Sequence, residues 1–266
     1  MDLGLKGRVA LVCAASQGLG KAAAIGFARE GAHTVICARG KKALLAAVKE
    51  IRRAAYDRTT TVLPVAADLT DPKDIKRLVA TTVKRYGRID ILVTNAGGPP
   101  VGAFPDLDDE TWNMGIARNL MSTIRCIREV LPYMQKRRWG RIINITSLTA
   151  KQPVNDLVIS STVRPGVLGL SKILANQYGK SGITFNNVAP GYMLTARQEE
   201  IALSRARSKG MSVARYMEEL ARDVPLGRYG NPDELANVIV FLGSERASYV
   251  NGATISVDGG LVKGLF

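Results

Sequence analysis

Apolar positions along the chain fall into short runs that alternate with longer stretches of helical spacing. The first run, Val9-Ala10-Leu11-Val12-Cys13, has the brevity and β-branching of a strand buried on both faces. A glycine turn, Ala14-Ala15-Ser16-Gln17-Gly18-Leu19-Gly20, follows at once, and Lys21–Glu30 returns to helical spacing. The pattern then repeats. Further strands are predicted at Thr34–Ala38, Thr61–Ala66, Asp90–Thr94, Arg141–Thr146, Ile183–Val188 and Thr254–Val257. Helices are predicted at Lys41–Ala55, Pro72–Tyr86, Asp109–Gln135, Ser161–Tyr178 and Pro232–Leu242. Between Thr195 and Arg222 a polar, arginine-rich segment interrupts the alternation. Within it Ala214, Met217, Leu220 and Ala221 keep helical spacing, an apolar face suited to lining a pocket. Seven strands with helical crossovers predict an α/β fold: a Rossmann-type, doubly wound, seven-stranded parallel sheet with helices on both faces. No low-complexity linker divides it, so residues 1–266 read as a single domain carrying an insertion at 195–225.

Composition narrows the function classes. The 266 residues, 46% of them hydrophobic, supply a large core. No apolar run reaches the roughly 18 residues of a membrane-spanning helix, and no charged-then-apolar leader opens the chain. A soluble, cytoplasmic protein is expected. Cys13, Cys37 and Cys126 lie far apart and His33 is the only histidine, so neither a zinc site nor a histidine-based triad is expected. The net charge of +14 is scattered over clusters such as Lys41-Lys42, Arg52-Arg53 and Lys136-Arg137-Arg138, without interleaved aromatics. It reads as a solvated basic surface and not as a nucleic-acid interface.

Strand, glycine turn and helix in that order form a unit that receives a dinucleotide. The turn brings backbone N–H groups to the pyrophosphate, and the helix N-terminus adds partial positive charge. Ala14, Ser16, Gln17, Gly18, Leu19 and Gly20 are the candidate residues there. Ligands in such sheets lie beyond the carboxyl ends of the strands. After the second strand stands Arg39, where an acidic residue would bind a ribose 2′-hydroxyl and repel a 2′-phosphate. A guanidinium fork matches the phosphate, so NADP(H) is favoured over NAD(H). After the third strand, Asp68-Leu69 are candidates for the adenine amino group. After the fourth, Asn95-Ala96-Gly97 let backbone pass close to a ligand.

These pieces, with Asn119, Ser147, Pro190-Gly191-Tyr192-Met193-Leu194-Thr195 and Asp258-Gly259-Gly260, resemble the short-chain dehydrogenase/reductase family over nearly the whole chain. The ending, Pro225-Leu226-Gly227-Arg228 through Tyr249-Val250-Asn251-Gly252, is most similar to 3-oxoacyl-[acyl-carrier-protein] reductases. The resemblance implies a homotetrameric NAD(P)-dependent oxidoreductase acting on a small or acyl-carrier-linked carbonyl or alcohol. It places Pro190, Gly191 and Thr195 by the cofactor and makes 195–225 a substrate lid.

The departures carry chemistry. Where the family's motif begins with threonine and glycine, this chain has Cys13 and Ala14. The Ala14 methyl is compatible with the motif only if that residue avoids positive φ. Counting from Ser147, the family's catalytic tyrosine and lysine fall on Ser160 and Arg164, which makes the tetrad Asn119, Ser147, Ser160 and Arg164. A serine hydroxyl is a far weaker acid than a phenol. Arg164 keeps the positive charge and has a fork for ribose hydroxyls, but it cannot relay a proton. Pro165 suits only a first helical turn, so a helix starting before Ser161 implies a kink that re-aims Arg164.

Tyr192 is either a substitute acid or a tyrosine packing the pocket wall. Lys151 and Asp156 are either substrate-bordering or surface residues. Arg197, Arg205, Arg207 and Arg215 either meet an anionic substrate or lie on solvated helix faces. Three functions stay open: a reductase with an altered proton path, a nucleotide-binding pseudoenzyme without redox activity, and a non-redox enzyme using a carboxylate or Tyr192.

Overall fold

All seven expected strands form, and all pair in parallel, in a computed structural model that describes residues 1–265. The first, β1 (Val9–Val12), shows why a continuous apolar run makes such a strand. Val9, Leu11 and Cys13 pack into the core on one face of the sheet, while Ala10 and Val12 pack into the core on the other. Around it stand β2 (His33–Ala38), β3 (Val62–Ala66), β4 (Ile91–Thr94), β5 (Gly140–Ile145), β6 (Ile183–Pro190) and β7 (Thr254–Val257). Their order is β3-β2-β1-β4-β5-β6-β7. Strand order therefore reverses between β1 and β4, and the cleft opens at their carboxyl ends. Pro64 lies in β3, an edge strand, where a missing ladder donor is tolerated.

On one face, α1 (Gly18–Arg29), α2 (Lys41–Ala54) and α9 (Pro232–Leu242) bury Phe27, Leu44, Ile51, Leu235 and Ile239. On the other, α3 (Pro72–Tyr86), α5 (Ser122–Arg137) and α6 (Val158–Tyr178) bury Ile75, Leu78, Ile127, Val130 and Ala175. The three cysteines, distant in sequence, share this second core. None of the helices is long and apolar enough to cross a membrane among the described residues.

Three expectations change. The helix predicted at Asp109–Gln135 runs as α4 (Asp109–Ile116), a π turn at Ala117–Met121, and α5. The π turn carries Asn119. Helix α6 begins at Val158 instead of Ser161, because Ser161 Oγ accepts from Val154 N (3.2 Å) and does not cap. Pro165 is thus interior, yet the helix continues unbroken to Tyr178. Finally, Ala14 has φ +46°. This is the left-handed conformation that the motif's alanine needed to avoid, and it costs an L-residue roughly 1–2 kcal/mol. Ala14→Gly is therefore expected to raise the melting temperature by about 1–3 °C, after the added freedom of the unfolded glycine is subtracted. An unchanged or lowered melting temperature would show that the surrounding turn absorbs the strain.

The insertion folds as α7 (Ala196–Ser208) and α8 (Val213–Asp223). Its apolar face packs lid on lid: Tyr216, Met217 and Leu220 meet Ala202 and Ala206. Ala214 is exposed. Met217 and Ala221 line a separate shallow groove with Leu194 and Tyr229, not the main cleft.

Candidate active site

A cleft of about 570 Å³ lies beyond the carboxyl ends of the central strands. Ala14, Ser16, Gln17, Gly18 and Leu19 form one wall; Arg39, Asp68, Leu69, Asn95, Ala96 and Gly97 form another; Pro190, Gly191 and Thr195 close it. Gln17 is the N-cap of α1, with φ −161° and no side-chain cap hydrogen bond, so the first N–H groups of the helix remain for a ligand. Gly18 has φ +56°. Gly20 does not line the cleft. A Cβ there would stand 2.6 Å from the Ala14 carbonyl oxygen and 2.9 Å from Asn95 Nδ2, so glycine lets α1 seat against the turn. These features fit a dinucleotide pyrophosphate, with the Ala14 methyl as the one departure.

At the far end of the cleft, Asp68 Oδ1 accepts from Thr70 N (2.9 Å) and Thr70 Oγ1 (2.8 Å). Those bonds, then the nearby guanidiniums of Arg39 and Arg118, hold its carboxyl below the usual range.

The centre of the site is one connected polar unit built on α6. Arg164 donates from Nε to Ser160 Oγ (3.2 Å) and from Nη2 to Asn119 Oδ1 (3.2 Å). Its Nη1 donates to the carbonyl oxygens of Thr146 (2.8 Å) and Ile145 (3.3 Å). Four of the five guanidinium N–H groups are thereby committed to protein acceptors. The fork that was expected to hold ribose is turned inward. Burial pushes the Arg164 guanidinium down to about 10, so it is still a cation at neutral pH.

Asn119 Nδ2 donates to the Gly115 carbonyl (3.2 Å), and the side chain is buried instead of lining the cleft. Ser160 Oγ also shares a hydrogen bond with Thr149 Oγ1 (2.8 Å), and Ser147 Oγ accepts from Thr149 N (3.2 Å). Ser147, Ser160 and Arg164 all face the cleft. Tyr192 does not line it: the ring packs 5.9 Å from that of Tyr229, and burial pushes its hydroxyl pKa up.

Comparison with known proteins agrees with this fold. The family model described as enoyl-(acyl carrier protein) reductase matches residues 13–262. A 3-oxoacyl-[acyl-carrier-protein] reductase of Thermotoga maritima is 36% identical over 258 residues, covering 97% of this chain and 99% of that protein. The chain belongs to the short-chain dehydrogenase/reductase family. The L-sorbose reductase of Gluconobacter frateurii, solved with NADPH and L-sorbose, superposes with a TM-score of 0.94 at 34% identity over 100% of both chains. An actinorhodin polyketide ketoreductase with NADPH gives 0.92 at 33% identity, covering 97% of this chain and 98% of that one.

In this short-chain dehydrogenase/reductase the start of the insertion lines the cleft through Ala196, Arg197, Glu200 and Ile201. Arg197 donates from Nη2 to the Pro99 carbonyl (2.8 Å), and Arg205 grips Asp156 through both arms (2.6 and 2.7 Å). Arg215 pairs with Glu219 within its own helix, and Lys151 is half-buried. Thr149 and Arg118 are among the site residues that escaped the sequence reading. Arg118 directly precedes Asn119 and Thr149 lies two residues after Ser147, so nearness to a motif residue was the available signal.

Proposed function

We propose that this protein binds NADP(H) and transfers hydride to or from a carbonyl carbon through an active site whose proton path runs to solvent. The observation that carries the proposal is the Arg164–Ser160 hydrogen bond at the cleft; the resemblance, counted from Ser147, implies that these two residues replace the family's tyrosine and lysine. Hydride comes from the nicotinamide when the nucleotide is bound. Arg164 donates to Ser160 Oγ, which leaves the Ser160 O–H to be given to Thr149 or to a substrate oxygen. A cation donating into that oxygen makes its O–H a stronger donor, so Ser160 and Ser147 polarise the carbonyl. Neither hydroxyl is acidic enough to surrender its proton unaided, so the alkoxide takes one from water.

The cofactor preference rests on Arg39 at the rim of the cleft. Calorimetric titration is expected to show NADPH binding at least about tenfold more tightly than NADH, and Arg39→Asp narrowing or reversing the order. Equal affinities in the unaltered protein would overturn it. A cytoplasmic homotetramer belongs to the same proposal. Met114, Tyr133 and Ile173, on α4, α5 and α6, are exposed apolar side chains that helix–helix contacts would cover. A monomer mass by light scattering at micromolar protein would refute that assembly.

A second reading, a nucleotide-binding protein without redox activity, is favoured by the inward commitment of Arg164. Nucleotide binding without any NADPH consumption would establish it.

A further inference from the structure

We infer that Arg118 is a second phosphate-recognising cation of the nucleotide cleft, acting with Arg39 to select a dinucleotide that carries a 2′-phosphate. The inference rests on the NADP(H) reading above and extends it to a residue outside the usual strand-end position.

The π turn supplies the placement. Asn119 is drawn inward to Gly115 and Arg164, and the preceding residue, Arg118, is left half-buried on the cleft wall. There it shares the wall with Arg39, Asp68 and Thr70. Among the described residues the only hydrogen bond of its side chain is from Nη2 to Met114 Sδ, at 3.5 Å, and a thioether is a weak acceptor. Among the described residues neither Arg118 nor Arg39 forms an ion pair within 4.0 Å, whereas Lys21, the other cation near the glycine turn, is held by Glu50.

Asp68 shares this wall and lies near enough for the charge of both guanidiniums to act on it, and its Oδ1 is already bonded to Thr70. Two cations and one committed anion leave a net positive charge at the adenosine end. A half-buried guanidinium without a carboxylate partner is costly, and a phosphate dianion is the group whose charge and planar oxygen pairs complete both forks. A ribose 2′-hydroxyl offers neither.

The test measures binding of nucleotide fragments, independent of turnover. Calorimetry with 2′,5′-ADP and 5′-AMP is run on the unaltered protein and on Arg118→Met, Arg118→Lys and Arg39→Ala; methionine retains the volume of the stem. Arg118→Met is expected to weaken 2′,5′-ADP by about tenfold and 5′-AMP by less than about twofold, with lysine intermediate and the salt dependence of 2′,5′-ADP binding reduced. If the unaltered protein discriminates, Arg39→Ala removes the discrimination and Arg118→Met does not, Arg118 is a solvated side chain and only this inference falls. If the unaltered protein binds both fragments equally, the NADP(H) reading falls with it. If Arg118→Met weakens both fragments alike, the residue supports the cleft wall and reads no phosphate, which also overturns the inference.

Discussion

Ser160→Tyr combined with Arg164→Lys is expected to raise NADPH-dependent reduction of simple 3-oxoacyl thioesters by about 10²-fold or more, the typical worth of a positioned general acid. The phenol, next to an ammonium, becomes an acid that can be tuned toward neutrality, which an aliphatic hydroxyl cannot. The backbone favours the outcome. Helix α6 starts at Val158 and continues through Pro165, so residues 160 and 164 sit one helical turn apart, both facing the cleft. Arg164 Nε reaches Ser160 Oγ at 3.2 Å, so a lysine at the same position has its ammonium in the neighbourhood of a tyrosine ring. Initial rates at 340 nm decide it. No gain from the double variant, and none from a triple variant adding Pro165→Ala, would show that the proton is not what limits this site.

The second large effect is on stability. Arg164→Met is expected to destabilise the protein by about 3 kcal/mol and lower its melting temperature by about 5–10 °C, with or without nucleotide. The methionine fills the stem's volume but leaves Asn119 Oδ1 and the Thr146 carbonyl at the heart of the site without their donor. Arg164→Lys retains a cation with three donors and should recover part of the loss. A clamp for bound ribose would behave differently: its removal would leave the melting temperature of the free protein unchanged and reduce only the stabilisation that added NADPH confers. Melting curves of the three proteins with and without nucleotide separate the two roles.

The limits of two helices were legible to the residue because their caps are written in the sequence. Asp71-Pro72 starts α3, with Asp71 accepting from Lys73 N at 2.8 Å, and Gly87 ends it at φ +70°. Asn231, Pro232 and Glu234 start α9 with a capping box. At α6, expected from Ser161, the hydroxyls near that point do not cap. Ser161 accepts from Val154 N, and Thr162 donates back to the Val158 carbonyl.

The π turn at Ala117–Met121 left no trace in the apolar period, since one additional residue in a helical span running from Asp109 to Arg137 hardly shifts the pattern. It nevertheless decides the site by separating Arg118 from Asn119. The walls of the cleft were legible from strand ends and glycines. The inward turn of the Arg164 fork was not, because it depends on carbonyl oxygens at the end of β5 that no side-chain pattern encodes. Likewise an amphipathic stripe in the lid announced a buried face but not its partner, which proved to be the other lid helix.

The pH–rate profile of NADPH oxidation by the unaltered protein, with a 3-oxoacyl thioester as substrate, tests the account most directly. With Ser147, Ser160 and Arg164 around the reacting oxygen, nothing there titrates between about pH 6 and about pH 9. The account predicts slow turnover, flat across that window and unaffected by Tyr192→Phe. It predicts a fall only well above that window, because burial lowers the Arg164 guanidinium from its ordinary value without bringing it near neutrality. Rapid turnover with a break near neutrality, abolished by Tyr192→Phe, would contradict it by revealing a tuned acid at the site.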